Sequence, residues 1–206
     1  MFQTLFLTLD FRWSVNCWAG ILGTRLIGPF FFEDAVGLNG ARYLEFLQES
    51  LEDLIWEADV PLGAFARHWF MQDGAPPHWA RAVRDHLDQV RLKRCSAIEF
   101  VSMSDHIIYF LFAQVYPQRW IGRGGPVAWP PRSPDLTPLD FFLWGYVKAR
   151  IYHTRPENPE DLKGRIRAAC ASVDAAMLQR VQQCGVRRFQ QCLTEEGRTF
   201  EHIYYE

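Results

Sequence analysis

The sequence predicts an α/β domain closed by a helical tail. Two observations carry this. The first is the order of apolar patterns: strand-like segments come first, then strands alternating with helices, then helices alone. The second is composition. At 206 residues, with 49% apolar and 22% charged residues, the chain is long and apolar enough to bury a core as one domain with at most a small appendage.

The elements follow in order. Residues 13–22 and 26–33 are rich in aromatic and β-branched side chains and flank Gly23-Thr24-Arg25, so they read as two strands of an antiparallel hairpin. From Gly40 to Ile55 the pattern becomes helical, with Tyr43, Leu47, Leu51 and Leu54 on one face. Residues 67–73 read as a short strand ending in Asp73. Pro76-Pro77 then opens a helix over 78–90, lined by Ala80, Val83, Leu87 and Val90. Residues 91–115 fit this organisation poorly, running from a basic start to a dense apolar end. After the glycines at 122, 124 and 125, a helix begins at Pro138 and carries Leu139, Leu143 and Val147. Asn158-Pro159 opens another by N-cap and N1 logic, and Asp174 caps a last one.

Net charge is −2, so no global basic field marks a nucleic-acid binder, and any such contact must be local. The cysteines, Cys17, Cys95, Cys170, Cys184 and Cys192, form no CxxC pair. That fits free thiols in a reducing compartment. The apolar opening lacks a basic n-region and a cleavage site, and no run reaches the ~18 apolar residues of a membrane span. The chain reads as soluble and intracellular, with no membrane partner.

Two carboxylates stand out by position. Asp73 ends a strand before Gly74-Ala75-Pro76-Pro77-His78, and Asp140 starts a helix after Ser133 to Leu139. A strand end and a helix start can meet at a sheet edge, where two or three hard oxygen ligands hold Mg²⁺. A pair of such ions, ~3.5–4 Å apart, stabilises both oxygens of a phosphodiester displacement. Each residue also has a structural explanation. Asp73 before glycine is an ordinary turn residue, and Asp140 three residues after Thr137 fits a capping box. Asp135 is a turn former, His78 a ligand or phosphate contact or else a structural helix-entry residue, and Trp120, Trp129 and Trp144 are candidates for the core. Spacing alone leaves the function open.

The segments Gln72 to His78 and Ser133 to Gly145 (SPDLTPLDFFLWG) resemble the hallmark motifs of mariner-like transposases. Residues 12–90 and 116–204 follow the same family pattern, including WSVNCWAGILGTRLIGPFFFE and the tail GRTFEHIY. The resemblance implies a ribonuclease-H-like mixed sheet with flanking helices and a three-carboxylate centre using Mg²⁺ or Mn²⁺. The partner it implies is DNA, as transposon ends and target, and it further implies a nuclear location and a homodimer. Asp73 matches the second carboxylate and Asp140 the third, both as metal ligands and catalytic residues. Asp135 matches the non-ligand Asp of the Ser-Pro-Asp element. His78 and Trp144 match recurrent positions without an assigned role.

Three departures from the family pattern shape the expectation. The first carboxylate belongs on a strand upstream of Trp13, so the sheet is expected to lack its first strand. Asp10 would substitute only if residues 2–9 supplied that strand. The N-terminal helix-turn-helix module is missing. Residues 91–115 match nothing in the family. Of the 66 residues between Asp73 and Asp140, removing them leaves 41 and restores DQVYPQRW, which reads as a translated intron or gene-model artefact. A tolerated surface loop is the alternative, and this segment is expected to be the least well packed. The expected organisation is thus a partial catalytic domain over 1–152, with an atypical insert at 91–115, and a helical tail of the same domain over 153–206. The expected function is that of a truncated transposase-derived protein, weakly active or inactive. The alternative is a captured or relic nucleic-acid-binding or interaction domain without catalysis.

Overall fold

The computed structural model describes residues 2–8, 14–33, 37–60, 68–89, 118–130, 133–198 and 200. The insert 91–115, Val90, Trp13 and Asp10 lie outside the described residues. These group into two bodies. One holds the first three strands and the chain after residue 132, and the other lies within Val36–Pro131.

In the first body, β1 (Phe2–Thr8), β2 (Ser14–Leu22) and β3 (Arg25–Phe32) form a sheet in that order. The β2–β3 pair is the expected antiparallel hairpin, pairing from Asn16↔Phe32 to Leu22↔Arg25 with a one-residue register shift between Trp18 and Gly20. Its loop is the two residues Gly23-Thr24, one shorter than the sequence suggested, and Gly23 has the positive φ (+59°) such a tight turn needs at its first position. The strand β1 was not assigned from sequence. It occupies the place beside β2, and none of its residues is Asp or Glu.

Every residue from Val15 to Leu22 is buried, as expected of a strand covered on both faces. Val15, Cys17, Ala19 and Ile21 share a core with residues from the C-terminal helices: Leu139, Leu143, Val147, Ile151, Leu162, Ile166 and Leu178 among them. Those helices are α4 (Trp144–Ile151), α5 (Pro159–Ala171) and α6 (Ala175–Thr194). The expected caps are present. Asn158 Oδ1 accepts the Asp161 N–H at 2.8 Å, and Asp174 Oδ1 accepts that of Met177 at 2.7 Å.

In the second body, the single helix expected over 40–55 is two, α1 (Gly40–Glu49) and α2 (Leu51–Glu57), broken at Ser50. The buried positions Tyr43, Leu47, Leu51 and Ile55 recur every four residues. A step of four overshoots the helical turn by about 40° each time, and the break resets that drift. Ile55 rather than Leu54 is therefore the buried residue of the last turn. The strand expected over 67–73 is shorter, β4 (Phe70–Met71), and pairs in parallel with β5 (Trp120–Ile121). The helix expected over 78–90 begins later, as α3 (Arg81–Gln89), because residues 76–79 form a turn. Val83 and Leu87 are its buried residues. Trp120 is fully buried and its indole N–H donates to Asp88 Oδ1 at 2.7 Å, tying β5 to α3. No described helix is long and apolar enough to cross a membrane.

Candidate metal centre

Asp73 lies two residues beyond β4. The strand hydrogen bonding runs one residue past the strand itself, with Gln72 N–H to Ile121 O at 3.0 Å, and then the chain turns. Asp73 Oδ1 accepts the Ala75 N–H at 3.0 Å, so the turn role expected of an Asp before glycine is filled. The same oxygen takes a second donor. His78 Nδ1 lies 2.5 Å from it, and since an ionised carboxylate only accepts, the imidazole donates.

His78 is fully buried, whereas the Asp73 side chain keeps 23% of its surface exposed. Two neighbours fix the imidazole. Its ring packs on Tyr43 of α1 with centroids 4.4 Å apart, and Gln72 Nε2 donates to the His78 carbonyl at 2.8 Å. A partly exposed carboxylate is thus oriented by a buried ring that has little freedom to move. The sequence offered His78 as a ligand, a phosphate contact or a structural helix-entry residue, and not as the support of Asp73. The signal was its spacing: five residues after Asp73, across Pro76-Pro77, a tight turn brings the ring back to the carboxylate.

Asp140 stands in the other body. Pro134–Leu136 forms a 3-10 turn, and Leu139–Leu143 is a π-helical turn in which the Trp144 N–H reaches Leu139 O. Single π-turns of this kind recur at functional sites. The hydroxyl of buried Thr137 donates to Ser133 O at 3.3 Å, and the Asp140 N–H goes to the Thr137 carbonyl at 2.9 Å. Asp135 is the turn residue the sequence suggested. Its carbonyl accepts from Arg188 Nη1 of α6 at 2.9 Å, and that guanidinium also lies over the Phe141 ring, 4.5 Å from its centroid. Arg188 therefore clamps both sides of Asp140, and nothing in the sequence singled it out. Trp120, Trp129 and Trp144 are all buried, as core residues rather than stacking platforms.

Asp73 and Asp140 are hard oxygen donors suited to a divalent cation. Among the described residues no group of three or more His, Cys, Asp or Glu could hold a metal ion. The strands β1, β2 and β3 contain no Asp or Glu at all.

No family model matches the chain, and neither does any curated protein. Solved structures do. The Mos1 transposase catalytic domain, in a structure with Raltegravir and Mn, is 19% identical, with a TM-score of 0.69 over 97% of this chain and 84% of that one. The same domain in the crystal structure of the Mos1 mariner transposase gives 19%, 0.69, 97% and 82%. The Mos1 mariner paired end complex with Mn gives 19% identity and a TM-score of 0.65, over 94% of this chain and 47% of that one. The fold of this chain is that of a mariner transposase catalytic domain, ribonuclease-H-like in class.

Proposed function

We propose that this chain is a transposase-derived DNA-processing domain that retains two carboxylates of a divalent-metal centre, Asp73 and Asp140, and has little or no catalytic output. The observation that carries this is the double hydrogen bond to Asp73 Oδ1 from the buried His78 ring and the Ala75 amide, in a fold shared with mariner transposases. The matching motif sequence adds to it. Such support holds a carboxylate in one orientation before any ligand arrives, which is how a ligand-bearing side chain is made ready.

In this reading Asp73 and Asp140 hold a Mg²⁺ or Mn²⁺ ion. A bound ion would act as a Lewis acid on a phosphate oxygen of DNA. The residues of the chain divide the remaining tasks. His78 and the Ala75 amide keep Asp73 aimed, while Arg188 and the Ser133–Thr137 turn fix the start of the helix that bears Asp140. Strands β1, β2 and β3 carry no Asp or Glu of their own, which supports the low activity of this reading. The partners in this reading are DNA ends and target, and the site of action is the nucleus. A homodimer follows by analogy with the family. The domain organisation we propose is a transposase-like catalytic domain over 1–152, with an atypical insert at 91–115, and a helical tail of the same domain over 153–206.

A relic binding domain without catalysis is the second reading, favoured by the carboxylate-free sheet. The purified 206-residue chain, incubated with plasmid and Mg²⁺ or Mn²⁺, should show nicking at or near background. Any residual nicking should vanish in Asp73→Asn and in Asp140→Asn. Robust nicking by the parent chain, or nicking that survives both substitutions, would overturn the proposal.

A further inference from the structure

We propose that Trp79 and Arg123 form a contact for an unpaired nucleotide of DNA, in which the indole takes the base and the guanidinium takes its phosphate. This rests on the reading of Asp73 as part of a DNA-processing centre. Trp79 directly follows His78, the residue whose ring holds Asp73, and it is 37% exposed. Trp18, Trp120, Trp129 and Trp144 are buried, and Trp56 and Trp69 are exposed like Trp79 but do not adjoin His78 in the sequence. The Arg123 guanidinium lies over the Trp79 ring, 4.2 Å from its centroid. Arg123 is exposed, and among the described residues no carboxylate or carbonyl accepts a hydrogen bond from it.

The turn that carries Arg123 is built to hold it in place. The Gly122 N–H reaches Val127 O at 3.0 Å, and the Gly125 N–H reaches Gly122 O at 3.1 Å. A side chain at Gly125 would come within 2.6 Å of the Trp120 ring, and one at Gly124 within 2.8 Å of Arg84 Nη1. The turn thus sits flush on a buried indole and cannot swing away from Trp79.

The chemistry of the pair selects the ligand. A guanidinium stacked on a ring keeps its in-plane N–H groups turned outward, where they match two phosphate oxygens. An indole stacks on any base, because every base has a π-face. Within a duplex those faces are covered by neighbouring base pairs, so the ring can take only a terminal or extruded base. The strand beside Asp73 would present such a base where a DNA end frays.

The test is fluorescence anisotropy in EDTA with two labelled DNAs: a blunt duplex, and the same duplex with a short single-stranded overhang. The parent chain should prefer the overhang. Trp79→Ala should weaken overhang binding by about ten-fold and leave the blunt duplex unchanged, while Trp79→Phe keeps most of the preference. Arg123→Ala should weaken both and lower the salt slope by about one, and Arg123→Lys should restore the slope. Parent-like binding of both DNAs by Trp79→Ala and Arg123→Ala would overturn the proposal. So would a parent chain that does not bind the overhang DNA, or that shows no preference for it. Because EDTA removes any metal, Asp73→Asn should bind as the parent does, so failure of the metal reading and failure of this contact give different results.

Discussion

Burial holds the thiols of Cys17 and Cys170 protonated well above the range of an exposed cysteine. For Cys17 burial is the main cause and the neighbouring Cys170 adds to it, while Arg167 opposes both. For Cys170 burial pushes the pKa up to about 12. In the unfolded chain both ionise near ~8.5. The native state therefore binds more protons above that pH, and stability falls as pH rises from there towards the folded values. Each thiol should cost about 2 kcal/mol by pH 10. A series of urea unfolding midpoints should be level up to pH 8 and decline by pH 10, with a shallower decline in Cys170→Ala. A parent profile level to pH 10 would contradict the linkage. Single residues differ in how far the sequence exposes them. Asp73 and Asp140 were visible because their motifs are contiguous. The tie from His78 to Asp73 was not, since it depends on how one turn closes. Arg188 gave no signal because its partner, the Asp135 carbonyl, lies 53 residues away.

Among the elements, α1 and the entry to α3 meet at Gly40, where an added Cβ would stand 2.4 Å from Ala80 Cβ. Alanine is the better helix former by about 1 kcal/mol, but overpacking at a fixed contact costs about 1–3 kcal/mol. Steric cost should win, so Gly40→Ala should lower the thermal midpoint. An unchanged or higher midpoint would show that the two segments can move apart. Elements set by local chemistry were legible: the β2–β3 hairpin, and the caps Asn158 and Asp174. Elements set by distant contacts were not. The break at Ser50 follows from where the buried face must point, and β4 shrinks to the two residues that β5 pairs. The π-turn around Asp140 replaces a regular helix start, and β1 shows no alternation that marks it as a strand.

At the scale of the molecule, the described residues form two bodies, each with its own apolar core. Asp73 belongs to one and Asp140 to the other, and the sequence separates them by 66 residues. The fold class was legible because the order of strands and helices survives even where single boundaries shift, and the likeness to Mos1 catalytic domains agrees with it at only 19% identity. The site was legible as two motifs, while the support around each carboxylate required the folded chain. The central claim is that these two carboxylates share one metal ion. Crystals of the 206-residue chain soaked in Mn²⁺ and measured at the manganese absorption edge test it directly. One anomalous peak within ligand distance of both Asp73 and Asp140 is expected. Peaks at other carboxylates, or none at these two under saturating Mn²⁺, would contradict it.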